Sequence, residues 1–275
     1  MTRQNTSILS DQHIHRFQTE GYAILEAALP SSLIGDLRRA AETGVKLARE
    51  RHGNQIQVVQ PIARYPEMDQ QPFRDYAELP ALNEAVRALL TPAHDYGRLD
   101  YSGLLIEPAD HPWCCPWHRD WRDHIPAGVF DREYRDEWEV QTQDYRVWFA
   151  QINCALYRDA STWYVPGSVY RMNATEKEIE LIGHPGEDLQ QLDDEPQFDA
   201  ERRLLRYCRE MPGAIQIHLE PGDFCIYRSN ALHLGNYSPD VKRVTIHDGA
   251  MNEEVRTWWK NAHRREEERG KIATA

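Results

Sequence analysis

After Asp100 the chain becomes a succession of short runs rich in β-branched and aromatic residues: Tyr101 to Ile106, Tyr145 to Tyr157, Thr162 to Val165, Ala214 to Leu219, Asp223 to Tyr227 and Val241 to Ile246. Pro-Gly pairs at 166–167, 212–213 and 221–222 punctuate these runs. Such a pair makes a turn, because proline presets φ and the glycine after it tolerates the return. The pattern predicts a mainly β fold, with the strands closing into one barrel or double sheet.

Helices flank this region. Ser10 stands as a cap before Ile14 and Phe17 at helical spacing, and Gly21 can end that helix in the left-handed region. A strand, Tyr22 to Leu25, is expected next. Leu33, Leu37, Ala41, Val45 and Ala48 trace one face of a second helix, and Leu82, Val86 and Leu89 mark another. The tail reads as a charged helix, Glu253 to Arg269. Arg122 to Asp144 and Met172 to Met211 fit no strand pattern and are expected as excursions over the barrel mouth. The expected organisation is one domain: residues 1–95 as helical support, 96–250 as barrel core with lid-like insertions at about 122–144 and 172–211, and 251–275 as a charged tail.

Composition narrows the partners. With 41% hydrophobic residues and eight Trp there is material for a large core. The formal net charge of −12 opposes broad association with nucleic acid or an anionic membrane. No apolar window approaches a membrane span. Five cysteines without C-x-x-C spacing do not resemble a disulfide framework, and a reducing cytoplasm fits best.

The densest chemistry lies in HPWCCPWHRDWRDH, residues 111–124. On extended backbone, residues i and i+2 leave the same face, so His118 and Asp120 can reach one ion together. A further histidine would complete a facial two-His, one-carboxylate set, which leaves the remaining positions on a ferrous ion open. Alone, His-x-Asp is equally a surface ion pair. Downstream, PGDFCIYRSNALHLGNYSPDVKRVTIH presents a turn, a strand, a loop carrying His233 and a strand carrying Arg243. If Val241, Arg243, Thr245 and His247 share the inward face, Arg243 needs a buried anion, and a bidentate carboxylate suits it.

The ordered set His118-x-Asp120, Val165-Pro166-Gly167-Ser168, Gly222-Asp223, His233-Leu234-Gly235-Asn236 and Arg243, with Phe17-x-x-x-Gly21-Tyr22 near the start, resembles the phytanoyl-CoA dioxygenase family of Fe(II)/2-oxoglutarate oxygenases. The resemblance implies a double-stranded β-helix, a jelly-roll, cupin-like barrel with iron at its open end. It implies His118, Asp120 and His233 as metal ligands and Arg243 as anchor for the distal carboxylate of 2-oxoglutarate. It also implies O2 as co-substrate, with hydroxylation of an unactivated C–H and release of succinate and CO2. An intact Asp120 disfavours halogenation, since related halogenases lack that carboxylate. Desaturation, epimerisation and cyclisation at the same centre stay open.

Two departures concern the substrate. Val169-Tyr170-Arg171 follows the Pro-Gly-Ser turn where the family commonly has His, and Asp159-Ala160-Ser161 stands where an Asn-Gly turn is frequent. A fatty acyl-CoA is therefore not carried over. Trp117, Arg119, Trp121, Arg122, Arg146, Trp148, Trp163 and Arg171 form a local excess of cations and indoles. From it, Trp117, Arg122, Arg146, Trp163 and Arg171 are candidate contacts to a small polar substrate, an anionic one included. Three rival readings are weaker. A jelly-roll isomerase or lyase using another divalent ion would not need Arg243, a non-catalytic jelly-roll binding module would not need the full set, and a structural zinc site lacks four ligands.

Overall fold

The computed structural model describes residues 8–120, 122–136, 150–171, 174–183, 189 and 195–272. Helix α1 (Asp11–Glu20) begins where the Ser10 hydroxyl accepts the His13 N–H at 3.3 Å. It ends at Gly21, whose φ of 87° is the left-handed conformation expected there. A cap of this kind is worth about 1 kcal/mol. Strand β1 (Tyr22–Leu25) follows, then α2 (Ser31–His52), which buries Leu33, Leu37, Ala41, Val45 and Ala48 along one face. Next come β2 (Val58–Val59), α3 (Gln71–Ala77) and α4 (Pro80–Leu89), the last with Leu82, Val86 and Leu89 inward.

The remaining strands are β3 (Gly103–Ile106), β4 (Trp113–Cys114), β5 (Ala150–Ala155), β6 (Thr162–Tyr164), β7 (Ile215–Gln216), β8 (Phe224–Tyr227), β9 (His233–Tyr237) and β10 (Val244–Ala250). They form two antiparallel sheets, ordered β1-β8-β5-β10-β3-β2 and β4-β9-β6-β7. This is the mainly β jelly-roll expected of the strand-rich half. Each predicted run contains a strand, although Ala214 to Leu219 shrinks to the two residues of β7 and positions 145–149 lie outside the described residues.

Period-two alternation gives the larger sheet two different faces. Ile152, Cys154, Phe224, Ile226, Val244 and Ile246 pack outward against α2, α3 and α4 in the largest apolar cluster. The opposite face carries Ala155, Cys225 and Tyr227, which pack with Tyr164, Ile217 and Leu219 between the sheets. Farther along that inner face the residues turn polar: Gln151, Asn153, Thr245 and His247. An apolar stretch closes one end of the space between the sheets, and a polar one lines the other.

Two expectations change here. His233 opens a strand, not a loop, because β9 is held between β4 and β6. Val241 is 53% exposed and precedes β10, so the inward face begins at Arg243.

The segments that break the strand pattern hold α5 (Ala127–Glu133), α6 (Glu176–Gly183) and α7 (Gln197–Glu210). Helix α7 is more than a solvated excursion. It buries Leu204, Tyr207 and Cys208 against Trp117, Trp163 and Leu234. The tail forms α8 (Glu253–Ile272), which packs Val255 and Ala262 beside Phe130 and Tyr134. Among the described residues, no helix is long and apolar enough to cross a membrane.

Candidate metal centre

Backbone pairing brings the three candidate ligands together. His118 and His233 exchange both backbone hydrogen bonds, N–H to O, at 3.1 and 3.0 Å, in an isolated antiparallel bridge. The next turn of chain is pinned by the Asp120 N–H donating to Ser229 O at 2.9 Å. Extended backbone at His118 followed by a turn at Asp120 keeps both side chains on one side. Donor atoms of His118, Asp120 and His233 all lie within 4.8 Å of one another. Asp120 Oδ1 is 3.5 Å from Nε2 of His118 and 3.8 Å from Nε2 of His233.

Each imidazole has its other nitrogen occupied. Nδ1 of His118 lies 2.8 Å from Pro116 O, and Nδ1 of His233 lies 3.0 Å from Ala231 O. A carbonyl can only accept, so both rings carry a proton on Nδ1 and turn Nε2 toward Asp120. Burial works against a charge on His118, yet the Asp120 carboxylate beside it raises its pKa well above the ordinary value. His233 is pushed down to about 4 by burial and by its neighbour His118. Once an ion displaces the Nε2 proton of His118, two imidazole Nε2 donors and a carboxylate make a set of the kind that suits ferrous iron, and these residues fit that ion.

The ligands open onto a cavity of about 550 Å³ between the sheets. Its wall includes Gln151, Asn153, Tyr227 and His247 from the larger sheet and Thr162, Gly235 and Tyr237 from the smaller. Gln151 donates its side-chain amide to Oδ2 of Asp120, leaving Oδ1 for the ion. His247 bonds Asn153 Oδ1 through Nδ1 at 2.9 Å, and burial lowers its pKa to about 4, so it is a neutral wall residue. Neither Gln151 nor the pairing of His247 with Asn153 was apparent from sequence. The available signal was polar Gln151 and Asn153 at alternate positions of an otherwise apolar strand, AQINCA.

Arg243 lies on the same cavity wall, 2% exposed. Its Nε donates to Asp159 Oδ2 at 2.9 Å, and its guanidinium lies over the Tyr237 ring, 4.3 Å from the centroid. Nη1 and Nη2 are buried with no hydrogen-bond partner. Two orphaned donors in a buried fork are costly unless an anion meets them, and a carboxylate matches their geometry. The site therefore fits the distal end of 2-oxoglutarate as well as the ion.

Of the four candidate substrate contacts among the described residues, Trp117 alone lines the cavity. It is fully buried, and its backbone N–H donates to the Tyr207 hydroxyl at 3.1 Å. Trp163 is core, packed with Leu204 and Tyr207. Arg171 is engaged by Glu178 through both terminal nitrogens, at 2.8 and 2.5 Å. Arg122 stacks over Phe130, 5.1 Å from its centroid. Arg146 lies outside the described residues, as do Trp121 and Trp148. Among the described lining residues, Arg243 is the one arginine or lysine; Ile182 and Trp113, the latter 38% exposed, also line the cavity.

No family model matches the sequence, and no curated protein does. Solved structures match the fold. AviO1 from Streptomyces viridochromogenes Tue57 superposes with a TM-score of 0.55 at 15% identity, over 90% of this chain and 97% of that one. HygX from Streptomyces hygroscopicus, with nickel and 2-oxoglutarate bound, gives 0.57 at 13% identity, over 89% and 88%. The non-heme alpha ketoglutarate dependent carbocyclase SnoK from nogalamycin biosynthesis gives 0.52 at 15%, over 90% and 86%. At such identities the likeness establishes a shared fold.

Proposed function

We propose that the chain is a single-domain Fe(II)- and 2-oxoglutarate-dependent oxygenase, related to the phytanoyl-CoA dioxygenase family, that hydroxylates an unactivated C–H of a small polar metabolite. One observation carries the reading: a cavity between two sheets holds His118, Asp120 and His233 with converging donor atoms, and the two free nitrogens of Arg243 on the same wall. HygX, with nickel and 2-oxoglutarate bound, lends support through its shared fold.

His118 Nε2, Asp120 Oδ1 and His233 Nε2 would hold the ion on one face, leaving the other face to co-substrates. Arg243 would grip the distal carboxylate of 2-oxoglutarate end-on. Bound there, ferrous iron with 2-oxoglutarate and O2 supplies the oxidising power to take a hydrogen from an unactivated carbon, releasing succinate and CO2. The chain's own contribution is to fix these groups and exclude bulk water, with Trp117, Leu234 and Ile182 as apolar wall. As a ligand, Asp120 would fill the position that a halide needs, which disfavours halogenation. SnoK is a carbocyclase and SnoN an epimerase on a similar fold, so cyclisation and epimerisation are the alternative outcomes for the same centre.

Anaerobic titration of the apoprotein with Fe(II) and then 2-oxoglutarate tests this. The visible charge-transfer band of the chelate should appear with wild type and be lost in His118→Ala. No band with wild type, or an undiminished one in the variant, rejects the reading.

A further inference from the structure

Arg243 does not wait in the cavity as a bare cation. Asp159, 2% exposed, takes its Nε, and the same carboxylate is held from its other sides: Thr245 Oγ1 donates to Oδ2 at 2.5 Å, and the Ser161 N–H donates to Oδ1 at 2.8 Å. The Asp159 backbone is itself fixed, exchanging N–H to O bonds with Leu219 at 2.9 and 2.8 Å. Oδ1 has no bond to the guanidinium, so the Nη1/Nη2 end is left for a second anion. Tyr237 blocks one face of the fork.

We propose that Asp159 is the resident counter-ion of Arg243, a positioning residue that aims the guanidinium's free end at the co-substrate and offsets its charge, so that a distal carboxylate is held by directional hydrogen bonds and can still leave. This rests on the oxygenase reading above. The physical reason is a balance of two terms. A buried arginine with no counter-charge destabilises the empty protein and would seize any carboxylate, succinate as firmly as 2-oxoglutarate. With Asp159 ionised beside it, the incoming carboxylate meets a neutral pair and also feels repulsion from Asp159. The anchor thus discriminates by geometry more than by charge, and succinate is not trapped.

Asp159→Asn is the test, because an amide oxygen can still accept from Nε while the charge is gone. The Fe(II)-loaded protein is titrated without oxygen, reading the chelate band for 2-oxo acids and thermal stabilisation for succinate. The variant should bind 2-oxoglutarate and succinate about tenfold or more tightly, as loss of a like charge at short range predicts. Its affinity for 2-oxobutyrate, which lacks the distal carboxylate, should be unchanged. Unchanged or weaker 2-oxoglutarate binding, or equal tightening for 2-oxobutyrate, overturns the inference and leaves the oxygenase reading standing. No chelate band in wild type overturns both. If Asp159→Asn does not fold, the double variant Asp159→Asn/Arg243→Met removes both charges: recovery of folded protein supports the counter-ion role, and no recovery overturns it.

Discussion

The side-chain amide of Gln151 donates to Oδ2 of Asp120, while Oδ1 of the same carboxylate is the oxygen nearest both imidazoles. An amide turned the other way would set its carbonyl against a carboxylate, so the orientation is dictated by the partner. Held like this, Asp120 would bind an ion through one oxygen and keep its plane fixed.

Removing that support should therefore be felt at the metal. Gln151→Leu is expected to weaken Fe(II) or Ni(II) affinity about 10- to 100-fold, the usual consequence of losing a partner of a metal ligand. Calorimetric titration of the apoprotein measures it. Affinity equal to wild type would show that Asp120 needs no outside support.

What the sequence disclosed and what it hid follow from how local each interaction is. The Ser10 cap, the Gly21 terminus and the alternating runs are settled by neighbours in the chain, so they were legible. Strand β9 was not, because HLGNY lacks the β-branched residues of a strand and gains its identity from partners at Trp113 and Thr162. Asp159 read as a turn residue, since its partner Arg243 lies 84 positions away. Arginine counting misled for the same reason: Arg171 looks like a free cation until Glu178 is seen around it.

Gly235 sits where a side chain cannot. A Cβ there would fall 2.5 Å from the Tyr237 ring, and that ring is the platform under Arg243. Gly235→Ala should displace Tyr237 at a cost of about 1–3 kcal/mol, as overpacking does. It should weaken 2-oxoglutarate binding more than metal binding. Parallel titrations of the two would reveal this, and equal losses would point to general distortion.

Tyr207 ties helix α7 to the metal side of the cavity. Its hydroxyl accepts the Trp117 N–H and donates to Leu181 O at 2.9 Å, one residue before His118 and one before Ile182. Tyr207→Phe leaves a buried N–H and a buried carbonyl without this partner, which costs about 1–3 kcal/mol. Thermal unfolding should fall by several degrees, and metal affinity should drop as Trp117 loosens. An unchanged melting temperature would mean that water replaces the hydroxyl without loss.

Asp248 gives the fold a pH dependence distant from ligand chemistry. It lies on β10 facing away from the cavity, 1% exposed, with its carboxylate accepting the N–H groups of Gly97 and Gly249. Burial raises its pKa to about 7, against the partial relief of those two donors. A folded-state value above the unfolded one means the native protein holds a proton that the unfolded chain has released. Its contribution is therefore fully present below about pH 4 and is lost as pH rises toward 7. Asp248→Asn cannot titrate. With metal chelated away, the melting temperature of wild type minus that of the variant should fall by several degrees between pH 5 and 8 and then level off. Every other titrating group is common to both proteins and cancels in this difference. Parallel curves would show that Asp248 does not change its charge in that range.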